Sequence, residues 1–403
     1  MLPVKTILFV TYGSGHVRMV VPVARALAES GLARPVVLAL TTAAPVVRAA
    51  GLEVLQFRDF LTADDEPALV HGRRLLADLK GLVSDPQESV AYLGLCYAEL
   101  VQDFGPAEAE RLYLRDGRQA FLPLKTLERM VAKVAPALVV ATNSPRSERA
   151  AITAARRLGL PSVCMVDLFC LDEVKWIGNA AYADRVCVLN ESVKKFLVAA
   201  GRGEEQIVVT GNPAFDTLGD PVHVLEGRRF RLERQWTGKY VLLWPTQVEP
   251  AYHPFNGLPG DVNLPARALA SVIRWVLSRD DCVLCIRPRA GEALPSVPDD
   301  PRIVFAGQET GLPALLQAVD LVVTLNSTVG LEGHLAGTGL VQVLGSVFDD
   351  AMPLKTYGIA DEAVREADIG AALDRCVHRP RRQPEQVHAN ATVRVLDVLR
   401  GFL

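Results

Sequence analysis

Short apolar runs of strand length recur along this chain, and between them the spacing of apolar residues turns helical. Thr6–Tyr12, Val36–Thr41, Glu53–Phe57, Ala137–Thr142, Ser162–Asp167, Arg185–Leu189 and Ile207–Thr210 form one series. Tyr240–Trp244, Cys282–Arg287, Ile303–Phe305, Leu321–Leu325 and Leu340–Leu344 form a second. Strands this apolar lack the alternation of a sheet with one wet face, so they predict parallel sheets covered by helices on both sides. Helices are predicted over Val17–Ser30, Ser147–Leu158, Glu191–Ala200 and Leu264–Ser278, with further helical segments near Asp361–Cys376 and Pro384–Leu403. From about Ala63 to Val134 the pattern is helical throughout, with breaks at Pro86, Pro106 and Pro123.

A chain of 403 residues is too long for one core. The turns Gly211-Asn212-Pro213 and Gly219-Asp220-Pro221, followed by a basic helical stretch, mark where one series gives way to the next. The sequence therefore predicts two doubly wound α/β domains: residues 1–220, carrying a helical insert over about 63–134, and residues 221–384. Residues 385–403 are expected to form a C-terminal helix that crosses back to the first domain.

Composition excludes several classes. The longest apolar runs are strand-sized, far short of the ~18–20 residues that cross a bilayer. Met1–Lys5 leads straight into a strand with no signal-peptide pattern, so a cytoplasmic protein is expected. A net charge of −3 argues against a broad nucleic-acid surface. Seven scattered cysteines suit a reducing compartment, and the Cys282/Cys285 pair lies within a predicted strand with no second pair to make a metal site. Asp64-Asp65-Glu66 reads as a solvated loop.

In doubly wound folds ligands bind beyond the carboxyl ends of the strands, and polar clusters stand there in this sequence. Gly13-Ser14-Gly15-His16 follows the first strand: two glycines allow close backbone approach, and a neutral imidazole at the helix start can take a proton from a hydroxyl. The same residues also describe a plain glycine turn with a solvated His. In the second series Thr246 and Gln247 follow the first strand, and Arg287-Pro288-Arg289 the second. Those two guanidiniums either clamp phosphate oxygens or are surface charges. Asn326-Ser327-Thr328-Val329-Gly330-Leu331-Glu332 follows Leu321–Leu325. Hydroxyl residues at a helix start suit a phosphate, and a carboxylate one turn inside suits a ribose diol; a well-capped helix with a surface Glu has the same sequence. Asp349 and Asp350, after Leu340–Leu344, suit sugar hydroxyls or cap the next turn. Asp167, Asp172 and Glu173 close a first-domain strand and are further carboxylate candidates. His334 falls on another helix face from Glu332 and reads as structural.

These residues resemble those of the GT-B class of nucleotide-sugar glycosyltransferases. Gly15-His16 with Pro22, Ala26-Leu27 and Gly31 is similar to the opening pattern of the UDP-sugar branch, in which the His is the general base. Thr210-Gly211-Asn212-Pro213 with Asp216 is similar to the same superfamily, UDP-N-acetylglucosamine 2-epimerases included. Asn326–Glu332 with Gly337 and Val343-Leu344-Gly345, and Pro245-Thr246-Gln247, resemble the capsule-polysaccharide transferases that use a CMP-activated sugar. Arg287-Pro288-Arg289 stands where that family has a Lys/His-Pro signature.

The resemblance implies a GT-B fold, two Rossmann-like domains facing across a cleft, and transfer from a UDP sugar or a CMP sugar to a sugar, lipid-linked or small-molecule hydroxyl. It implies His16 as base, Gly13, Ser14 and Gly15 as the acceptor loop, and Thr246, Gln247, Arg287, Arg289, Asn326, Ser327, Thr328, Glu332, Asp349 and Asp350 around the donor. No cofactor and no metal are expected, and peripheral membrane contact through the insert stays open. A sugar-nucleotide epimerase or hydrolase, or a non-catalytic nucleotide-binding protein, are the alternatives. Against the epimerase, the sequence shows no dense set of carboxylates and histidines for chemistry at the sugar ring.

Overall fold

The computed structural model describes residues 4–79, 85–253, 256–289, 292–307, 309–382 and 390–403. Residues 80–84 of the insert and 384–389 of the predicted last helix lie outside the described residues. The chain divides into two compact units: residues 1–214 together with 390–403, and residues 215–389.

The first unit is a seven-stranded parallel sheet. Its strands are β1 (Thr6–Thr11), β2 (Arg34–Ala39), β3 (Glu53–Leu55), β4 (Leu138–Thr142), β5 (Ser162–Met165), β6 (Arg185–Val188) and β7 (Ile207–Val209), in the order β3-β2-β1-β4-β5-β6-β7. Every residue of β4 and β5 is buried, as two covered faces demand. Alternate residues Ile7, Phe9, Val37, Leu138, Val140 and Val163 make one face of the core, against helices Gly15–Ser30 and Ala391–Arg400. A fully buried aliphatic side chain contributes about 1.5–3 kcal/mol, so such a face anchors both helices.

The insert consists of helices Glu66–Ala77, Pro86–Phe104, Pro106–Asp116 and Leu124–Val134. Pro86 and Pro106 are each the first residue of a helix, where a missing N–H costs nothing, so the predicted breaks are helix starts. The first two helices touch backbone to backbone: a Cβ on Gly72 would lie 2.1 Å from Val90 O, and one on Gly94 would lie 2.4 Å from Ala68 O. Tyr92, Leu93, Leu95, Tyr97 and Leu100 are buried, so this apolar stretch is core. Asp65, expected in a solvated loop, is buried: it accepts from the Thr62 N–H at 2.8 Å and pairs with Arg129 at 2.9 Å.

The second unit is a six-stranded parallel sheet of β8 (Tyr240–Pro245), β9 (Cys282–Arg287), β10 (Ile303–Phe305), β11 (Leu321–Thr324), β12 (Gly339–Leu344) and β13 (Glu362–Arg365), ordered β10-β9-β8-β11-β12-β13. Leu242, Trp244, Leu284, Ile286, Val323, Val341 and Val343 pack against helices Leu264–Leu277 and Ile369–Cys376. β13 replaces part of the helix expected over Asp361–Cys376. It is an edge strand paired only with β12, and its half-exposed Glu-Ala-Val-Arg carries too little apolar signal to be recognised.

One device recurs in both sheets. An Asp immediately before a strand caps the first or second N–H of the neighbouring strand: Asp184 to Ser162, Asp320 to Val241 and Asp361 to Leu340, each at 2.8 Å. A parallel ladder leaves such N–H groups without a partner at its start, and the carboxylate supplies one.

Candidate functional site

In each unit the strand order reverses beside the first strand, between β1 and β4 and between β8 and β11. The loops beyond these two positions diverge, and in each unit the predicted residues gather there.

In the first unit Gly13–Gly15 turns the chain from β1 into helix Gly15–Ser30. Ser14 takes φ 59°, a conformation rare for a residue with a side chain. A Cβ on Gly13 would meet Thr42 Oγ1 at 1.9 Å, so this glycine serves packing within the protein; Gly15 faces open space. The helix start has no side-chain cap and no acidic residue in its first turn.

His16 lies in that first turn with Asp167 Oδ2 3.9 Å from its Nε2; the two side chains are 23% and 26% exposed. Asp167 is held firmly. Its Oδ1 accepts from the Leu168 N–H at 2.7 Å and from Asn143 Nδ2 at 3.0 Å, which leaves Oδ2 toward the imidazole. Asn143 Oδ1 accepts the Asp167 N–H at 3.1 Å, which fixes the amide orientation, and Nδ2 also reaches Glu173 Oε1 at 3.1 Å. Asn212, at the end of β7, donates to the Asp167 carbonyl at 2.9 Å. Burial, with the negative charge of Asp167 and Asp172 nearby, pushes the Glu173 carboxyl up to about 7.

Behind His16 is Glu148, fully buried near the start of helix Ser147–Arg157. Its Oε1 accepts the Tyr12 N–H at 2.8 Å, tying the end of β1 to the loop after β4. Its Oε2 and His16 Nδ1 are both buried without a hydrogen-bond partner. Burial raises the Glu148 carboxyl above the ordinary range, with the nearby His16 acting in the opposite sense. The Tyr12 hydroxyl meets Tyr92 of the insert at 2.7 Å, and burial pushes it up to about 12.

The structure thus brings Asp167, a carboxylate candidate of the sequence, to His16 and adds Glu148 behind it. No local motif in the sequence marks Glu148 or Asn143 as site residues. Both follow β4, and only the strand order places that loop beside His16. The signal available was a polar run, Asn143-Ser144-Pro145-Arg146-Ser147-Glu148, directly after an apolar strand. Among the described residues no three His, Cys, Asp or Glu side chains are placed to share a metal ion.

In the second unit a hydrogen-bonded chain crosses the reversal. Gln247 Oε1 accepts the Asn326 N–H at 2.9 Å; Asn326 Nδ2 donates to Ser346 Oγ at 2.7 Å; Ser346 Oγ donates to Glu249 Oε2 at 2.7 Å. Gln247 and Asn326 therefore lock three strand-end loops together. Thr246 is bound up with Glu292 and accepts the Arg289 N–H at 3.0 Å. Asp349 Oδ2 accepts the Gly345 N–H at 2.7 Å, so it caps its own loop, and burial pushes this carboxyl up.

The other predicted residues are half-buried or exposed. Ser327 caps helix Thr328–Leu335, accepting the Val329 N–H at 3.3 Å. Thr328 is exposed and Glu332 half-buried one turn on. Gly330 and Gly333 let this helix sit close on the sheet: a Cβ on Gly330 would lie 2.8 Å from Thr324 Cγ2, and one on Gly333 2.7 Å from Val322 Cγ2. Arg287 donates to Thr310 O at 2.8 Å. Burial lowers its affinity for the proton, while Glu332 is near enough to oppose that effect. The Arg289 side chain and Asp350 are exposed. His334 bonds Arg382 at 2.6 Å.

No family model and no curated protein matches this chain. Solved structures do. A putative UDP-N-acetylglucosamine 2-epimerase from Listeria monocytogenes superposes with a TM-score of 0.61 at 12% identity, over 99% of this chain and 96% of the other. The glycotransferase of kitacinnamycin gives 0.59 at 15% identity over the whole of both chains. Methanocaldococcus jannaschii UDP-GlcNAc 2-epimerase, in complex with UDP-GlcNAc and UDP, gives 0.55 at 11%, over 98% of this chain and 99% of the other. At such identities the likeness is one of fold: two Rossmann-like α/β units of the GT-B kind.

Proposed function

We propose that this chain is an enzyme that binds a nucleotide sugar and transfers its glycosyl group to a hydroxyl acceptor, with His16 as general base. The observation that carries this reading is the His16–Asp167 pair, an imidazole in an uncapped first turn opposite a carboxylate whose other oxygen is already held by two donors. As an acceptor hydroxyl attacks the anomeric carbon, His16 takes its proton and Asp167 steadies the resulting imidazolium. In the second unit the start of helix Thr328–Leu335 with Ser327 and Thr328 faces phosphate, Glu332 takes the ribose diol, and Arg289 offsets charge on the departing nucleotide. Gln247, Asn326 and Asp349 act through the loops they hold.

His16→Ala is expected to leave nucleotide affinity intact and to cut turnover by about 10²–10⁴-fold. Unchanged turnover would remove His16 from the mechanism. The assay is nucleotide release from a panel of UDP and CMP sugars, with and without acceptors.

A second reading is favoured by the carboxylates Glu148 and Asp167 beside His16, with Glu173 sharing Asn143 with Asp167, and by the likeness to epimerases. Inversion at a ring carbon requires acids and bases that remove and return a proton on carbon. Solvent deuterium appearing in the sugar without any acceptor would establish the epimerase; acceptor-dependent release with no exchange would establish the transferase.

A further inference from the structure

The first-unit cluster contains a cation that the mechanism above does not use. Arg146 stands at the start of helix Ser147–Arg157, in the loop after β4, with its guanidinium 4.3 Å over the ring of Tyr12. Tyr12 directly precedes the Gly13–His16 turn. Among the described residues this guanidinium makes no hydrogen bond and no ion pair, and its Nε is buried without a partner. Arg129, whose Nε is likewise buried without a partner, and Arg157 are by contrast ion-paired, with Asp65 and with Glu128, each at 2.9 Å.

Glu148, two residues on, makes no ion pair with it: that carboxylate accepts the Tyr12 N–H, and burial raises it while the charges of His16 and Arg146 act in the opposite sense. Ser147 is fully buried with its hydroxyl unpartnered. Three residues further, in the first turn of the helix, Arg149 repeats the arrangement: its guanidinium lies 4.8 Å over Trp176, again with no hydrogen bond or ion pair among the described residues. A planar cation held by an aromatic face and lacking a carboxylate has its fork of donors available for an anionic group.

We propose that Arg146, with Arg149 as a second cation at the start of the same helix, forms an anion subsite, so that the molecule bound beside His16 carries a carboxylate or a phosphate. This rests on the reading that the first unit holds the acceptor, and it narrows the acceptor to an acidic sugar, a sugar phosphate or a like anion.

The test is calorimetric titration of the full-length chain at low ionic strength with glucose, glucuronate and glucose 6-phosphate, and separately with UDP. At least one of the two anionic sugars binds and glucose does not; which one binds distinguishes carboxylate from phosphate. Arg146→Gln weakens the anionic sugar by about ten- to a hundredfold, the loss expected for hydrogen bonds to a charged partner. It leaves UDP affinity and melting temperature unchanged, while Arg146→Lys retains part of the binding. Equal binding of glucose and the anionic sugars, no binding of either anion, or anion affinity unchanged in Arg146→Gln overturns the proposal. A parallel loss of UDP affinity also overturns it, since Arg146 would then serve the nucleotide. Anion binding through Arg146 with no UDP binding leaves the subsite standing and removes the nucleotide-sugar reading.

Discussion

At the scale of single residues, the first-unit cluster is defined by how its carboxylates are held. Asp167 has donors on one oxygen and an imidazole facing the other, whereas Glu173 shares Asn143 with it and is half-buried beside two further negative charges. With its folded value near 7 and an ordinary unfolded value of 4.5, Glu173 keeps its proton in the folded chain across a range where the unfolded chain has lost it. The unfolded state then binds fewer protons, so this group makes stability fall as pH rises from about 4.5 to about 7, by up to about 3 kcal/mol, and contributes no slope above that. Glu173→Gln is expected to flatten that part of the stability profile in urea titrations between pH 5 and 8. An unchanged profile would show that Glu173 ionises normally. Glu88, pushed up to about 7 by burial, gives a slope of the same sign and persists in the variant as an internal reference.

At the scale of elements, packing rests on positions whose sequence signal is slight. Helices Glu66–Ala77 and Pro86–Phe104 approach through Gly72 and Gly94, where backbone stands against backbone and no rotamer change can make room. Gly94→Ala is expected to destabilise the chain by about 1–3 kcal/mol, measured as a lower urea midpoint, despite the better helix propensity of Ala. A midpoint at or above that of the parent would mean that the two helices are free to separate. Helix ends are tied just as locally. Arg381 reaches the carbonyls of Gln317 and Val319 at 2.9 Å and of Ala336 at 2.9 Å, so one cation serves the carboxyl ends of two helices. Arg202, 2% exposed, serves one helix end, donating to Ile177 O at 2.8 Å and to Asn179 O just beyond it at 2.9 Å.

At the scale of the whole molecule, ligand linkage offers the plainest check on the nucleotide reading. A nucleotide at a hundredfold excess over its Kd stabilises the folded chain by about 2.7 kcal/mol. UDP is expected to raise the melting temperature in a saturable way, and Glu332→Ala to shift that dependence to higher concentration. A thermal response identical in parent and variant would detach Glu332 from the ribose. No helix among the described residues is long and apolar enough to cross a membrane.

The amino-acid order alone determined the two parallel sheets, because a strand buried on both faces must be apolar throughout, and Leu138–Thr142 and Leu321–Thr324 have no other stable environment. It also placed His16 and Asn326–Glu332 after strands. It did not reveal β13, an edge strand with few apolar residues, nor the burial of Asp65, whose partner Arg129 lies in another helix. Only the tertiary structure decided which loops meet. Glu148 reaches Tyr12, and Asp167 faces His16, because β4 lies beside β1 and β5 beside β4. Likewise Gln247 and Asn326, read from the sequence as ligand-binding side chains, hydrogen-bond within one network because β8 and β11 are neighbours. Strand neighbours are set by how crossovers pack on the sheet, a contact between residues distant in sequence, and local pattern carries no record of it.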